Sequence, residues 1–185
     1  MKTSLKNLNN KNIILGVTGS IAAYKAAEIC SKLIECGANV YPILTESACR
    51  FIQPLTFETL SKNKAMTDMW ENDTDSYPNH IKIADSADIF LVAPASADSI
   101  AKITYGHASD LLSSVHLAIK TPAVIAPAMN GNMYNHPATQ YNINTLIERG
   151  YHIVKPEIGM LACGYEGIGK LASVESILEK TSSVV

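Results

Sequence analysis

The sequence predicts an α/β domain in which helices cover both faces of a mainly parallel β-sheet. Short apolar runs alternate along the chain with longer segments whose apolar residues recur at helical spacing. The apolar runs are continuous, which is typical of parallel strands buried on both faces. A length of 185 residues with 47% hydrophobic content suits one domain with a substantial core. We therefore expect a single domain over residues 1–185, doubly wound and Rossmann-like (flavodoxin-like), with residues 1–10 frayed.

The first three predicted elements form one strand–helix–strand unit. Residues 12–18 (NIILGVT) are an apolar run between turn formers, which predicts a strand. Apolar periodicity predicts a helix over residues 21–36, with Ser20 as a candidate N-cap and Gly37 as its end. Residues 39–44 (NVYPIL) form the second strand. Because Pro42 has no N–H to donate, this strand belongs near an edge of the sheet.

The rest of the chain continues the alternation of strands and helices. A polar, turn-rich loop is predicted at residues 72–79, and His80 opens a short segment that runs to residue 88. Further strands are predicted at residues 89–93, 123–126 and 151–154. Helical patterns cover residues 46–51, 55–61, 97–105, 110–120 and 137–149. Alternation of this kind predicts a parallel sheet between two layers of helices.

Composition excludes several classes of protein. A formal net charge of −2 provides no basic field for nucleic acid or for an anionic membrane. The start of the chain lacks the apolar stretch of a signal peptide, and no later run reaches the roughly 18 residues of a membrane span, so we expect a cytoplasmic protein. Four cysteines without C-x-x-C spacing indicate reduced thiols. No metal site is indicated by the spacing of His107, His116, His136 and His152.

Two loops at predicted strand ends have the composition of a phosphate site. Ligands of open parallel sheets bind beyond the carboxyl ends of the strands. There, residues 16–21 (GVTGSI) and 94–99 (PASADS) place small and hydroxyl residues before helix N-termini, which favour anions. Two such loops favour one phosphorylated ligand. Tight turns and helix capping would require the same residue types, so the first loop alone leaves both interpretations open.

Two further segments carry amide and thiol side chains. Residues 127–134 (PAMNGNMY) follow a strand and supply two amides and two methionines, although a polar turn with methionines that fill gaps would look the same. Residues 161–170 (LACGYEGIGK) contain one thiol and three glycines, which predict a mobile loop.

Together these motifs resemble the homo-oligomeric flavin-containing cysteine decarboxylases, a family that includes phosphopantothenoylcysteine decarboxylase and the peptidyl-cysteine decarboxylases of lantibiotic maturation. The resemblance covers about residues 11–175. It rests on VTGSIAAYKA, the isolated histidine of NHI, PASADS for the family's PASANT, PAMNGNMY for P-x-M-N-x-x-M-W, and LACGYEGIGK for L-A-C-G-x-x-G-x-G-[RK].

The resemblance implies FMN as the cofactor, bound at the strand ends. The positions that it assigns to FMN are Gly19, Ser20, Ile21, Thr45, Ser96, Ala97, Asp98, Ser99 and Asp110. Two of these positions depart from the family pattern. Asp98 replaces an asparagine, and Ser109 and Asp110 occupy the family's Asp–Asn pair. Additional carboxylates here would alter FMN binding if they faced the cofactor.

The resemblance also implies the catalytic groups. His80 corresponds to the family's active-site histidine, Asn130 to the residue that holds the substrate carboxylate, and Cys163 to a proton donor. Substrate contacts are further implied for Met133, Ala162 and Lys170. Oxidation of the substrate's cysteine by FMN gives a thioaldehyde, whose C=S group stabilises the charge that develops as carbon dioxide leaves. Completion of the cycle then needs an acid, and a thiol above the site suits that task.

The presence of Cys163 favours one substrate within the family. Peptidyl-cysteine decarboxylases stop at an enethiol and need no such thiol, so the expected reaction is decarboxylation of 4′-phospho-N-pantothenoylcysteine to 4′-phosphopantetheine in coenzyme A biosynthesis. The alternatives are a peptidyl-cysteine decarboxylase, a flavin prenyltransferase and a non-catalytic regulatory flavoprotein. The resemblance further implies trimers or dodecamers with FMN at subunit contacts. In the family a phosphopantothenate-cysteine ligase is often fused behind this domain, and because the given sequence ends at Val185 we expect the ligase to be a separate chain.

Overall fold

The core of the fold is a five-stranded parallel sheet. The computed structural model describes residues 5–70 and 79–185. In sheet order the strands run β2-β1-β3-β4-β5, and every neighbouring pair is parallel. Their bounds are β1 (Asn12–Val17), β2 (Asn39–Leu44), β3 (Ile89–Ala95), β4 (Ala123–Pro127) and β5 (His152–Ile153). The chain moves outward from β1 to β2 and then returns to place β3 on the other side of β1. A crevice is therefore expected beyond the ends of β1 and β3.

Helices cover both faces of this sheet. They are α1 (Ala23–Glu35), α2 (Glu46–Cys49), α3 (Pro54–Ser61), α4 (Asn79–Ser86), α5 (Ala97–Tyr105), α6 (Leu111–Ala118), α7 (Gly131–Asn135), α8 (Pro137–Glu148) and α9 (Val174–Ser182). Alternate residues of β1 enter two separate apolar clusters. Ile13 and Leu15 pack in the cluster that includes Leu33 of α1, whereas Ile14 packs in the one that includes Val115 of α6. The predicted doubly wound α/β class is confirmed.

Neither edge of the sheet exposes a long strand with unpaired backbone N–H and C=O groups. The outer edge of β2 is covered by Met66, whose N–H donates to the Pro42 carbonyl at 3.0 Å and whose carbonyl accepts from Leu44 N–H at 2.9 Å. The prediction that the strand of Pro42 lies at an edge is confirmed. At the other edge, β5 consists of only His152 and Ile153.

The segment at residues 161–170, predicted as a mobile loop, contains the turn and the second strand of a β-hairpin. Strands β6 (Glu157–Met160) and β7 (Glu166–Lys170) pair antiparallel, and the tight connection between them carries Cys163. The loop prediction was wrong for residues 166–170, because the low strand propensity of their glycines is overridden by backbone pairing with β6.

Predictions for the two ends of the chain and for α1 also need correction. Residues 5–10 are ordered, since a 3-10 helix at Lys6–Leu8 buries the Leu8 side chain completely. Helix α9 has no counterpart among the predicted elements. Helix α1 begins later than expected, with Ala22 rather than Ser20 as its N-cap, and the Ser20 hydroxyl accepts from Ala22 N–H at 3.3 Å.

The predicted loop at 72–79 lies outside the described residues, except for Asn79, which begins α4. Within the described part of the chain, no helix is long and apolar enough to cross a bilayer.

Candidate functional site

The two phosphate-type loops meet where the strand order reverses. Thr18, fully buried at the end of β1, holds them together. Its hydroxyl donates to the Pro94 carbonyl at 2.8 Å and accepts from Ser96 N–H at 2.8 Å. The start of α1 and the start of α5 are therefore held side by side at the crevice.

A cavity of about 640 Å³ opens at this point. Its volume is in the range of sites for cofactors and small molecules. Most of the site residues expected from the sequence line it, namely Gly19, Ser20, Ile21, Ser96, Ala97, Asn130, Met133, Ala162, Cys163 and Lys170. The described lining includes two lysines, Lys25 and Lys170, and no carboxylate. An anionic ligand is thus favoured over a cation.

The cavity wall at the start of α1 and α5 fits a phosphate. A Cβ atom at Gly19 would lie 2.5 Å from the Ser47 Cβ, so only glycine allows the turn to pass this close to α2. The Ser96 hydroxyl caps α5 by accepting from Ser99 N–H at 3.2 Å. Residues at the N-terminal starts of both helices line this wall, and the positive end of each helix dipole favours a phosphate there.

Asn130 and Cys163, which also line the cavity, approach each other. Asn130 is the N-cap of α7, and its side-chain oxygen accepts from Asn132 N–H at 2.8 Å. The amide nitrogen consequently faces the hairpin, where it donates to the Cys163 sulfur at 3.4 Å and to the Tyr165 hydroxyl at 2.7 Å. Tyr165 was not expected at the site, because it occupies an unspecified position of the L-A-C-G-x-x-G motif.

Glycines attach the hairpin to the Asn130 loop. Met129 N–H donates to the Gly169 carbonyl at 3.0 Å, and a Cβ at Gly169 would collide with the Met129 carbonyl oxygen. A Cβ at Gly131 would lie 2.9 Å from the Ile168 carbonyl oxygen. Such close backbone contact places Cys163 beside Asn130.

Thr45 and Ser99 support the cavity from behind its lining. Thr45 caps α2 by accepting from Ala48 N–H at 3.2 Å and so positions Ser47 against Gly19. Ser99 is buried, and its hydroxyl lies 3.1 Å from the Ser96 hydroxyl.

The unusual carboxylates of Asp98 and Asp110 are paired with one lysine and do not line the cavity. Lys102 lies 3.1 Å from Asp98 and 3.0 Å from Asp110. Asp110 also caps α6 by accepting from Ser113 N–H at 2.8 Å. Burial acts to raise the pKa of Asp110, but the hydrogen bonds from Ser113 and Lys102 lower the pKa below its usual value. The two departures from the family pattern thus leave the cavity without an added negative charge.

His80 lies outside the lining of the cavity in its own chain. It is half-buried near the start of α4, which packs against α6, and it does not contribute to the lining. One chain therefore brings together Asn130 and Cys163 but not His80.

Cys163 differs from the other cysteines in its exposure. All four are unpaired thiols, and Cys163 is the exposed one. Burial raises the pKa of Cys30 to about 11 and also raises the pKa values of Cys36 and Cys49. Among the residues that the structure describes, no group of three His, Cys, Asp or Glu side chains could hold a metal ion.

Sequence comparison finds relatives over almost the whole chain. The chain is 49% identical over 172 residues to the coenzyme A biosynthesis bifunctional protein CoaBC of Bacillus subtilis, covering 93% of this chain and 42% of that protein. It therefore spans less than half the length of that relative. It is also 44% identical over 172 residues to a probable phosphopantothenoylcysteine decarboxylase of Streptococcus mutans, covering 92% of this chain and 96% of that protein.

Solved structures with the same fold include cysteine decarboxylases. The FMN-dependent cysteine decarboxylase SpaF superposes with a TM-score of 0.84 at 29% identity, covering 95% of this chain and 97% of SpaF. A mutant PPC decarboxylase complexed with pantothenoylaminoethenethiol superposes with a TM-score of 0.83 at 29% identity, covering 92% of this chain and 95% of the other. A family model described as Flavoprotein matches residues 1–185. The chain belongs to the Flavoprotein family.

Proposed function

We propose that this protein is an FMN-dependent phosphopantothenoylcysteine decarboxylase that forms 4′-phosphopantetheine in coenzyme A biosynthesis. The observation that carries the proposal is the contact between the Asn130 amide and the Cys163 thiol at one wall of the cavity. A phosphate-type wall formed by Ser20 and Ser96 belongs to the same cavity. The relative of S. mutans, which the chain matches over 96% of its length, carries the name of this activity.

The wall at α1 and α5 would hold the FMN phosphate. Gly19 and Ile21 would offer backbone N–H groups, and Ser96 and Ala97 would close the cradle at the start of α5. Ser20 would contribute its hydroxyl, because its N–H already donates to the Thr18 carbonyl at 2.8 Å. Bound FMN supplies a reversible acceptor for the hydride equivalent whose removal from the substrate's cysteine makes loss of the carboxylate feasible. Thr45 and Ser99 would maintain the cradle through Ser47 and Ser96.

Asn130 would hold the substrate carboxylate by hydrogen bonding. Its oxygen is engaged by Asn132 N–H, so the group that it presents to the cavity is the N–H donor. A neutral amide orients a carboxylate without the strong ion pair that would oppose loss of that charge. Substrate contacts are proposed on the same grounds for the neighbouring Met133, Ala162 and Lys170, which line the cavity.

Cys163 would protonate the substrate carbon after carbon dioxide has left. It is exposed in the connection between β6 and β7 and lines the cavity, so it can reach a bound molecule. Its contact with Asn130 places the acid beside the group that holds the carboxylate, so both act on the same end of the substrate.

His80 would act in the site of a neighbouring copy, within the trimers or dodecamers that the family resemblance implies. The apolar side chains of Ile21, Tyr24 and Phe51 line the cavity and are about half exposed or more, at 58%, 61% and 49%. Exposed apolar groups at a cavity mouth mark a surface that a partner can cover. A second copy bound at this surface would bring its own His80 to the cavity of the first copy.

We further propose that the enzyme acts as one domain in the cytoplasm.

The decisive experiment is mass spectrometry of the FMN-loaded protein after incubation with phosphopantothenoylcysteine. The expected product is lighter than the substrate by the mass of carbon dioxide. A product lighter by a further two hydrogens would indicate an enzyme that stops at the enethiol. Absence of any product from protein that contains FMN would contradict the proposal.

A further inference from the structure

Tyr165 lies in the hairpin connection with its hydroxyl against Asn130. Its backbone carbonyl accepts from Leu161 N–H at 2.9 Å, which closes the connection between β6 and β7. Its ring covers Gly167, where an added Cβ would lie 3.4 Å from the ring edge. The ring packs on the hairpin, and the hydroxyl oxygen is 2.7 Å from the amide nitrogen of Asn130, which lines the cavity. Tyr165 itself is 41% exposed and stands beside the cavity lining rather than in it.

The hydrogens of this cluster can be assigned from its contacts. Since Asn132 N–H occupies the Asn130 oxygen, the amide nitrogen directs one hydrogen to the Cys163 sulfur and the other to the Tyr165 oxygen. The phenol thus acts as an acceptor, and its own hydrogen remains available. Within residues 5–70 and 79–185, that hydrogen has no acceptor in hydrogen-bond range.

We propose that Tyr165 donates a second hydrogen bond to the substrate carboxylate and so forms, with Asn130, a two-donor carboxylate clamp. This inference rests on the proposed function. The two donor atoms are neighbours at 2.7 Å, close enough for each to reach one oxygen of the same carboxylate. Tyr165 thereby becomes a substrate-binding residue that selects for a cysteine with a free carboxylate.

The clamp also explains how Cys163 becomes available. Sulfur is a weak acceptor, whereas a carboxylate oxygen is a strong one, so an arriving carboxylate takes the amide hydrogen that now points to Cys163. The thiol is then free to turn to the substrate carbon. Both donors of the clamp are uncharged, so they orient the carboxylate without resisting its departure as an ion pair would.

The test is Tyr165→Phe, which removes the hydroxyl and retains the ring over Gly167. We expect the KM for phosphopantothenoylcysteine to rise at least about tenfold, as for a lost hydrogen bond to a charged group. The dissociation constant of 4′-phosphopantetheine, which has no carboxylate, should stay unchanged. The matched control is Tyr141→Phe, at an exposed position on α8 away from the cavity, which should alter neither value.

Three outcomes would overturn the clamp. An unchanged KM in Tyr165→Phe, with an active wild-type enzyme, would remove the clamp and leave the proposed function intact. An equal loss of affinity for substrate and product would assign Tyr165 to holding the hairpin alone. A wild-type protein that releases no carbon dioxide would remove the proposed function, and the clamp with it.

Discussion

At the scale of single residues, the thiol of Cys163 is set apart from the other cysteines by its position. It is exposed, lines the cavity and contacts Asn130, whereas the burial of Cys30 places that thiol in the core and raises its pKa to about 11. A role as an acid requires access to a bound molecule. Of the four thiols, Cys163 is the one that both lines the cavity and is exposed.

Replacement of Cys163 by serine should separate decarboxylation from completion of the cycle. A serine hydroxyl is a far weaker acid than a thiol, so Cys163→Ser should release carbon dioxide and accumulate a product that lacks two further hydrogens. Mass spectrometry distinguishes the two products. Cys49→Ser, at a half-buried position outside the cavity, is the control and should give complete turnover. Complete turnover by Cys163→Ser as well would remove Cys163 from the mechanism.

A second residue-scale feature is the buried His116, which makes stability depend on pH. The ring is 6% exposed, and its Nε2 lies 2.7 Å from the Tyr151 hydroxyl. Burial, aided by the positive charge of Arg149, lowers the pKa of His116 from 6.5 to about 4. Because this pKa lies below that of the unfolded chain, the unfolded state binds the proton first as the solution is acidified.

The free energy of unfolding should therefore fall as the pH drops from 6.5 to about 4, by about 3 kcal/mol in total from this group. Thermal unfolding at pH 7 and pH 4.5 should show a smaller loss in His116→Gln than in the wild-type protein. The control His107→Gln, at an exposed position, should keep the wild-type loss. Identical acid sensitivity in all three proteins would show that His116 does not titrate as its burial implies.

At the scale of secondary structure elements, the attachment of the hairpin to the Asn130 loop decides the geometry of the site. Gly169 has a φ of +125°, and its missing side chain lets Met129 approach. Gly169→Ala should displace β7 and with it Cys163, and turnover should fall at least about tenfold because small misplacements of catalytic groups are costly.

Gly150→Ala is the matched control for this effect. Gly150 also has a positive φ, +86°, but nothing lies within 4 Å of an added Cβ. The control should lose about 1 kcal/mol of stability from the strained backbone alone and retain full turnover. Steady-state kinetics together with thermal unfolding separates the two effects. Equal turnover in both variants would show that the hairpin tolerates the displacement.

Secondary structure was predictable from sequence where periodicity was strong. Helix α5 lies at the predicted bounds, and the strand over residues 123–126 is extended by one residue in β4. The hairpin was missed because β7 contains two glycines, which are rare in strands, so the sequence does not indicate that its backbone pairs with β6. Helix α7 was missed because its five residues, which begin at Gly131, are too few to show a helical period.

At the scale of the whole molecule, the position of His80 separates two models of the site. If His80 acts across a subunit contact, His80→Asn and Cys163→Ser should complement each other in mixed oligomers. Co-expression of the two variants with different tags should restore about a quarter of wild-type turnover. In an equal mixture, about one subunit contact in four combines an intact Cys163 from one chain with an intact His80 from the other. If His80 acted within its own chain, every site of the mixture would lack one group and no complete product would form.

The site residues that were predictable from the sequence are those that follow strand ends or belong to a motif. Ser20 and Ser96 were expected together because strand ends of a parallel sheet meet at one edge. Asn130 and Cys163 were expected through motifs, and the structure brings them into contact. Tyr165 was not expected at the site, because its contact with Asn130 forms only when the hairpin packs against the Asn130 loop, and no local sequence pattern indicates that contact.

The covered edge at β2 and the short edge at β5 have a consequence for the protein at high concentration. An open strand edge invites strands of other molecules to add to it, which is the usual route to fibrous aggregates. Here the backbone of Met66 occupies the outer side of β2, and β5 is too short to template a further strand. Neither edge therefore offers a long free strand to another molecule, so contacts between crowded molecules have to use side-chain surfaces.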